Sequence, residues 1–278
     1  MNTLPERGPG LRFLKLGGSL ITRKDRREVP RQEVLARLAR EIREARGGMG
    51  DGTLLIGHGS GSFGHYPAQA HGIHEGLAGK EDWRGLAETS AAAARLNRLV
   101  TDALLEAEVP TLSLQPSASA RCHDGRLVSL STEPIQQTLS HGLVPLLYGD
   151  VAFDEVRGTT VVSTEAVFAY LAGVFRPEWI VLASDVSGVL NQDPRQDARA
   201  RPIERLRPED VPQLESVLAD SGGVDVTGGM LAKVRVMADL VARRPEIRVL
   251  FISGIEEGKV AKALVSPGPG LGTLLEAG

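Results

Sequence analysis

Cysteine and long apolar segments are almost absent from this 278-residue chain. Cys122 is its one cysteine, which excludes an internal disulfide and is typical of a reducing cytosol. No apolar run approaches the length of a membrane span, and residues 1–10 lack the apolar centre of a signal peptide. We therefore expect a cytoplasmic protein with no membrane partner.

An excess of basic charge is also missing. The formal net charge is −3, so the chain lacks the positive surface with which proteins bind nucleic acid or anionic membranes. With 42% hydrophobic and 24% charged residues it has the composition of a globular protein, long enough for one large domain or two close lobes. We expect a small-molecule partner and no nucleic acid.

Lysine is the scarcer of the two basic residues. Six of the 32 basic residues are lysine and the rest are arginine, so arginine is used wherever a general positive charge suffices. The compact ammonium of lysine and the planar guanidinium are not interchangeable beside a reacting phosphate, so the lysines are candidates for chemically required positions. Those in charged or helix-like surroundings are interpreted as surface residues: Lys80, Lys259 and Lys262. Lys15, Lys24 and Lys233 remain.

A glycine-rich segment contains the clearest sign of a ligand site. Residues 57–65 read Gly-His-Gly-Ser-Gly-Ser-Phe-Gly-His between the apolar residues 53–56 and a segment of helical character, which predicts a strand-to-helix turn. Such a turn presents free backbone N–H groups at a helix N-terminus, and glycine lets an anion approach the main chain. An ordinary glycine-rich connection has the same pattern. His65 adds a donor beside these N–H groups, so we interpret the loop as a phosphate site.

Apolar periodicity predicts alternating strands and helices along most of the chain. The predicted strands are residues 11–16, 53–56, 109–114, 143–148, 179–183, 248–252 and 272–275, with hairpins over 119–130 and 153–162. The predicted helices are residues 31–46, 83–107, 132–141, 163–172, 231–242 and 256–264, and residues 191–208 are predicted to be an exposed loop. The alternation predicts a three-layer α/β/α sandwich with a mostly parallel central sheet.

Charged residues stand where three of the predicted strands end. Lys15, Asp150 and Asp185 have this position. In open α/β sheets, ligands bind at the carboxyl ends of the strands, so these side chains are candidates for one shared site.

A second glycine-containing loop precedes a late helix. Gly228 and Gly229 lead into the predicted helix 231–242, and Lys233 falls in its first turn. A cation there opposes the helix dipole unless an anion is bound, although a solvated surface lysine is the alternative. If the sheet edges converge, this loop and the Gly59 loop form two phosphate sites that face each other. That arrangement suits the transfer of a phosphoryl group.

Two other glycine-containing motifs in the chain would indicate different functions. Residues 59–64 match the G-x-G-x-x-G pattern of dinucleotide-binding proteins, with Glu81 and Asp82 about twenty residues later, so a dehydrogenase is a rival. That rival leaves the three lysines unexplained. Residues 254–259 are one residue too short for a P-loop, and Val260 stands where serine or threonine binds magnesium.

Histidines are concentrated in one short segment. Four of them fall within residues 58–74, a pattern that also occurs in zinc sites. The acidic and cysteine partners of a closed zinc site are absent nearby, so we predict no metal ligand among them.

Several motifs, in order along nearly the whole chain, resemble the amino acid kinase superfamily. They are Lys15-Leu-Gly-Gly-Ser-Leu-Ile-Thr-Arg-Lys24, His58-Gly-Ser-Gly-Ser-Phe-Gly-His65, Gly149-Asp150, Ser184-Asp-Val-Ser-Gly188 and Thr227-Gly-Gly-Met-Leu-Ala-Lys233. Within the superfamily the chain is most similar to the isopentenyl phosphate kinases, because Gly-Ser-Phe-Gly-His is characteristic of them and of fosfomycin kinases. Ser60 departs from the family pattern, since it stands in the middle of a usual Gly-Gly-Gly run.

The resemblance implies one amino acid kinase domain over residues 1–278, with a substrate-binding lobe at 1–175 and a nucleotide-binding lobe at 176–278. It implies transfer of the γ-phosphate of ATP, with Mg²⁺, to isopentenyl phosphate in isoprenoid biosynthesis, and a homodimer. The chemistry is compatible with the residues, because a phosphate monoester has a second pKa near ~6 and needs no general base. Catalysis then rests on positioning and on charge neutralisation.

The resemblance also implies roles for single residues. Lys15 binds the transferring phosphoryl group, Lys24 stabilises charge in the transition state, and Asp150 orients the lysines. His65, the Gly59 loop and the N–H groups of Ser60 and Gly149 bind the substrate phosphate. The ATP site is assigned to Lys15, Gly17, Gly18, Ser19, Gly61, Gly228, Gly229 and Lys233, with Asp185 near the nucleoside.

Two alternatives to an isopentenyl phosphate kinase remain open. A fosfomycin kinase is the nearest enzymatic rival and differs in phosphorylating a phosphonate. A non-catalytic sensor of nucleotide or phosphate is the binding-protein rival, and Lys15, Lys24, Lys233 and Asp150 together argue against it.

Overall fold

Strands and helices alternate along the chain, and the computed structural model describes residues 10–50, 52–80, 82–192, 199–220 and 226–278. The strands are β1 (Arg12–Leu16), β2 (Leu54–His58), β3 (Thr111–Ser113), β4 (Arg121–His123), β5 (Arg126–Ser129), β6 (Val144–Tyr148), β7 (Asp150–Asp154), β8 (Gly158–Val162), β9 (Trp179–Ser184), β10 (Arg205–Leu206), β11 (Arg248–Ser253) and β12 (Gly272–Leu275). The helices are α1 (Gly18–Ile21), α2 (Gln32–Gly48), α3 (Gly61–Ala70), α4 (Arg84–Glu106), α5 (Glu133–Ser140), α6 (Thr164–Phe175), α7 (Val211–Asp220), α8 (Val226–Arg243) and α9 (Lys259–Val265). Short 3-10 helices lie at Ile73–Glu75, Pro116–Ala118 and Pro208–Asp210.

Eight of the described strands form one sheet, in the order β10-β12-β11-β9-β1-β2-β6-β3. The pairs from β11 to β3 are all parallel, and β12 runs antiparallel to β11. β1 lies between β2 and β9, so Lys15 is opposite Gly57 on one side and Leu182 on the other. Because parallel strands end at the same edge of a sheet, the loops after β1, β2, β6 and β9 meet there.

The large sheet separates two hydrophobic cores. Successive side chains of a strand point to opposite faces, so Phe13 of β1 packs into one core and Leu14 into the other. The first core contains buried residues of α6 and α8, and the second contains buried residues of α2, α4 and α9. The predicted three-layer α/β/α sandwich with a mostly parallel sheet is therefore confirmed.

A smaller sheet of four described strands, β5-β4-β7-β8, comes from the two predicted hairpins. Asp124 and Gly125 turn the first hairpin with positive φ angles of 47° and 79°, as a tight hairpin turn requires. The hairpins pair with each other through β4 and β7. The Asp154 carboxylate accepts a hydrogen bond from Gly125 N in one turn (2.7 Å) and from Arg157 N in the other (2.8 Å). One side chain thus ties both turns together.

The structure differs from the prediction at the helix that carries Lys233. α8 begins at Val226, before the predicted start at residue 231. Gly228 and Gly229 therefore lie in its first turn, and Lys233 lies in the second, where the helix dipole acts weakly. The start was predicted wrongly because glycine disfavours helix interiors.

The structure also adds elements that the sequence did not indicate. α7 was not predicted, yet Val211 and Leu214 of α7 are buried in the first core. β10 lies within residues 191–208, which were predicted to be a loop. Glu81 of the dehydrogenase alternative, residues 1–9, residues 193–198 of that loop and residues 221–225 lie outside the described residues. Among the described helices, none combines the length and apolar character needed to cross a bilayer.

Ser163 caps α6, which carries part of the candidate site. Its Oγ accepts a hydrogen bond from Ala166 N at 3.1 Å. α6 continues to Phe175, beyond the predicted end at residue 172, and stops where Arg176 takes a positive φ of 50°. The cap satisfies one of the free N–H groups of the first turn.

Replacing this cap is expected to lower the free energy of unfolding. Ser163→Ala leaves the Ala166 N–H without its acceptor, and such a loss costs about 1 kcal/mol. Thr132→Ala is the matched control, because Thr132 stands at the same position before α5 but makes no side-chain capping hydrogen bond. Chemical denaturation of both variants measures the difference, and equal losses would contradict the capping role of Ser163.

Candidate active site

A cavity of about 490 Å³ opens at the carboxyl edge of the large sheet. Its walls come from the start of α1, from α3, from the loops after β6 and β9, and from the first turns of α8. Ten of the predicted site residues line it: Ser19, Lys24, Ser60, Gly61, His65, Gly149, Asp150, Asp185, Gly229 and Lys233. The segments singled out in the sequence therefore converge on one cavity.

The remaining predicted residues lie beside or beneath the cavity. Lys15 and Gly17 border a small adjoining pocket that they share with Lys233. Gly18 and Gly59 lie where the loops after β1 and β2 contact each other. Gly228 lies in the first turn of α8.

The two glycine loops approach each other too closely for side chains. A Cβ atom on Gly18 would lie 2.5 Å from Gly61 N, and one on Gly59 would lie 2.8 Å from Gly18 N. Gly61 also has a positive φ of 51° and faces the Thr22 hydroxyl. Among the described residues, the N–H groups of Ser60 and Gly61 have no hydrogen-bond acceptor, so they are available to an anion in the cavity. The glycines are therefore required by contact between the loops as well as by approach of a ligand.

Lys15 forms a buried ion pair that the sequence analysis missed. Its Nζ contacts Glu165 Oε1 of α6, and the two side chains are 6% and 5% exposed. Burial alone raises the pKa of Glu165, but the charges of Lys15 and Lys233 outweigh it and hold that pKa below its ordinary value. The signal was present, because Glu165 is the one charged residue in the otherwise uncharged α6 segment.

Lys233 belongs to the same group of charges. Burial lowers its pKa, and the neighbouring charge of Lys15 lowers it further, although Glu165 and Asp185 act in the opposite direction. The ammonium groups thus outnumber the carboxylates that are free to pair with them. A bound anion would relieve this imbalance.

Asp185 holds Lys24 at the other side of the cavity. Lys24 Nζ lies 3.1 Å from Asp185 Oδ2, and Ser19 Oγ donates a hydrogen bond to Oδ1 at 2.7 Å. Burial raises the pKa of Asp185, but the hydrogen bonds from Ser19 and Lys24 outweigh burial and lower it overall. Lys24 is 62% exposed, so this pair is solvated. Asp185 was expected to lie near the nucleoside. In the structure its carboxylate also orients the Lys24 side chain.

Asp150 and Gly149 have contacts that differ from the expected ones. Asp150 Oδ2 accepts a hydrogen bond from Ser117 N at 3.1 Å, while Lys15 and Lys24 pair with Glu165 and Asp185 instead. The N–H of Gly149 donates to His58 O at 3.0 Å rather than standing free, because β6 continues to pair with β2 beyond its last residue. Its assignment to the substrate phosphate stays a prediction. Gly149 still lines the cavity.

His58 holds the backbone of the glycine-rich loop in place. It is fully buried, its Nδ1 donates to Gly59 O at 3.1 Å, and its Nε2 accepts from Asn97 Nδ2 at 3.1 Å. Burial lowers its pKa to about 4, so the imidazole is neutral at neutral pH. Its ring stacks on Tyr148 with centroids 5.5 Å apart. In the described part of the chain, no cluster of three or more histidine, cysteine or acidic residues is arranged to bind a metal.

The site can be compared with known proteins. A model of the amino acid kinase family matches residues 11–253. The isopentenyl phosphate kinase of Methanothermobacter thermautotrophicus is 35% identical over 91% of this chain and 94% of its own length. That of Methanocaldococcus jannaschii is 30% identical over 92% and 95%. A solved isopentenyl phosphate kinase structure superposes with a TM-score of 0.81 at 32% identity, covering 95% of this chain and 99% of that one.

Removing the charge of Glu165 is expected to destabilise the fold and to slow turnover. Because the pKa of Glu165 is lowered in the folded protein, the ion pair contributes its full stabilisation at pH values above the carboxyl's ordinary pKa of 4.5. This stabilisation is lost as the pH falls through the lowered pKa. Glu165→Gln leaves Lys15 buried without its counter-charge, which costs about 3 kcal/mol or more at neutral pH. Glu133→Gln is the control, since Glu133 is exposed in the first turn of α5. Equal denaturation midpoints for the two variants would contradict the buried pair.

Proposed function

The chain belongs to the amino acid kinase family and, within it, to the isopentenyl phosphate kinases, and we propose that it transfers the γ-phosphate of ATP to isopentenyl phosphate in isoprenoid biosynthesis. The observation that carries the proposal is that His65, Lys24 and Lys233 line one and the same cavity. Two anions that repel each other can be brought together only where cations and backbone donors face one space.

On the acceptor side, we assign the phosphate of the substrate to the start of α3. His65 and the N–H of Ser60 are the proposed donors, with Gly59 allowing the close contact between the loops. The acceptor oxygen of a phosphate monoester is already anionic near neutral pH, because its second pKa is about 6. No side chain is then needed as a base, and the site acts by positioning the oxygen.

On the donor side, we assign the phosphates of ATP to the loops after β1 and before α3, and to the start of α8. The proposed residues are Lys15, Gly17, Gly18, Ser19, Gly61, Gly228, Gly229 and Lys233. Lys15 binds the transferring group and Lys24 neutralises charge that develops on it. The lowered pKa of Lys233 supports this assignment, because burial and then the nearby charge of Lys15 disfavour its ammonium form, and bound phosphates would offset both effects. Asp150 remains in the proposed set through its place in the cavity wall.

The described residues fit a magnesium ion that is bound mainly through phosphates. Asp185 offers a partly exposed carboxylate at the cavity, contacted by Lys24 and Ser19, whereas Glu165 is buried against Lys15 and Asp150 accepts from Ser117 N. Mg²⁺ commonly takes one or two carboxylates together with substrate phosphates and water, so Asp185 alone is sufficient on the protein side. When bound, the ion would supply charge neutralisation at the phosphates of ATP.

The acceptor's hydrocarbon tail is assigned to the apolar end of the cavity. Ala68 of α3, Ala93 of α4 and Val161 of β8 line this end. Thr89 of α4 lines it as well, and its hydroxyl is engaged because it donates to Gly85 O at 2.8 Å. These small side chains leave room for a short branched tail.

We further propose a cytoplasmic homodimer in which residues 1–175 bind the acceptor and residues 176–278 bind the nucleotide. Cytoplasmic location is supported by the single cysteine, which is buried and free. Dimerisation is supported by an apolar surface around β3, the edge strand of the described sheet. Its exposed residues are Leu99 (37%), Leu105 (48%), Leu112 (44%) and Leu143 (37%).

A side-by-side assay of acceptors tests the proposed function. ATP consumption by the purified protein is measured with isopentenyl phosphate, dimethylallyl phosphate and fosfomycin, each with magnesium. We expect the highest kcat/KM with isopentenyl phosphate. A preference for fosfomycin would establish the rival kinase, and ATP binding without turnover on any acceptor would establish the sensor.

Exchanging Lys15 for arginine tests whether an ammonium is required. Lys15→Arg keeps the charge but places a larger planar group in a buried position beside Glu165, so kcat is expected to fall by roughly 100-fold. Lys80→Arg is the matched control, because Lys80 is exposed and does not line the cavity. Steady-state kinetics would contradict the argument if the Lys15 variant kept most of its turnover.

A further inference from the structure

His74 is a second imidazole in the cavity that the proposed function leaves unused. It lies in the 3-10 helix Ile73–Glu75, which follows Gly72 with its positive φ of 61°. Ile73 is fully buried in a small core with Ala68, Leu77 and Val151, so the turn has a fixed position. His74 lines the same cavity as His65 of α3.

His65 and His74 differ from His71 and His123 in their partners. His71 Nε2 lies 2.9 Å from Glu88 Oε2, and His123 Nδ1 lies 3.1 Å from Glu155 Oε2. No such carboxylate contacts His65 or His74 among the described residues. Each of these imidazoles is therefore free to bind a ligand from the cavity.

The other charged groups around this turn are engaged elsewhere or exposed to solvent. Glu75 of the same turn is exposed. The groups on the elements packed against it have their own partners: Glu88 of α4 with His71 and Arg84, Arg157 of the β7–β8 hairpin with Asp124, Asp154 with backbone N–H groups, and Asp150 with Ser117 N. His65 is the one titratable group with a resolved electrostatic effect on His74.

Protonation of His74 is disfavoured while no anion is bound near it. Burial lowers the pKa of His74, and the charge of His65 lowers that pKa further. A phosphate dianion bound near His74 offsets both effects and favours the protonated form of this ring. Because His65 and His74 line the same cavity, an anion bound there can accept hydrogen bonds from both side chains.

Building on the proposed function, we propose that His74 binds the acceptor's phosphate together with His65, so that two histidine side chains hold the acceptor. When the phosphate dianion binds, His74 takes one proton from solvent onto its free ring nitrogen, and it returns that proton to solvent when the diphosphate product leaves. The substrate class this selects is a dianionic phosphate monoester. The phosphoryl transfer itself involves no proton from His74.

Steady-state kinetics of His74→Gln tests the assignment. An amide cannot carry the positive charge, so KM for isopentenyl phosphate is expected to rise about tenfold, as for the loss of one charge-assisted hydrogen bond. KM for ATP and kcat are expected to stay within about twofold, because the donor site is untouched. His71→Gln is the matched control, since His71 lies three positions earlier and pairs with Glu88 away from the cavity. Equal KM values for the two variants would overturn the proposal.

Calorimetric titration with isopentenyl phosphate gives a readout that a merely structural histidine would not change. At about pH 7.5 the monoester is a dianion and free imidazoles are largely neutral, so binding in buffers of different ionisation enthalpy reports proton uptake. The uptake is expected to be smaller in His74→Gln than in wild type by up to about one proton. Because bound phosphate raises the pKa of His74, the affinity of wild type for isopentenyl phosphate should fall as the pH rises through that raised pKa. The affinity of the variant should fall less steeply. Absence of binding by wild type would refute the proposed function, whereas equal proton uptake in wild type and variant would refute the role of His74 alone.

Discussion

The site depends on a close contact between two loops that carry no side chains where they meet. Gly18, after β1, and Gly61, at the start of α3, approach so closely that a single methyl group on Gly18 would lie 2.5 Å from Gly61 N. This contact joins the loops that follow two neighbouring parallel strands, and the N–H groups of Ser60 and Gly61 in the second loop have no acceptor among the described residues. Under the proposed assignment, the donor and acceptor halves of the site are adjacent because these loops touch.

Charge is distributed around this contact in a graded way. Lys15 is buried and neutralised by Glu165, Lys233 is half-buried with its pKa lowered, and Lys24 is exposed beside Asp185. A buried ammonium has a fixed position but needs a counter-charge, whereas an exposed one can move with the group it follows. Under the proposed roles of Lys15 and Lys24, the gradient gives a fixed cation at the donor phosphate and a more adaptable one where charge develops during transfer.

The sequence predicted the fold well because the alternation of apolar strands and amphipathic helices is strong, and it predicted the converging strand ends because parallel strands share an edge. It failed where tertiary contacts decide the outcome. Gly228 and Gly229 indicated a loop but lie in a helix, since helix propensity is a weak local preference. The ion-pair partners of Lys15 and Lys24 were also missed. For Lys15 the reason is that Glu165 and Asp150 are both carboxylates near the same edge of the sheet, and only the packing of α6 places Glu165 against it.

The cavity has walls of separate origin, and this separation bears on how such a protein changes over evolution. Backbone and lysines positioned by the large sheet form one part of the wall, while Ala68, Ala93 and Val161 on α3, α4 and the smaller sheet form another. If the acceptor's tail binds against these three side chains, as proposed, enlarging or shrinking one of them would alter which alcohol-derived group fits without moving the lysines. New acceptor preferences would then be accessible through single substitutions that leave the reaction centre intact.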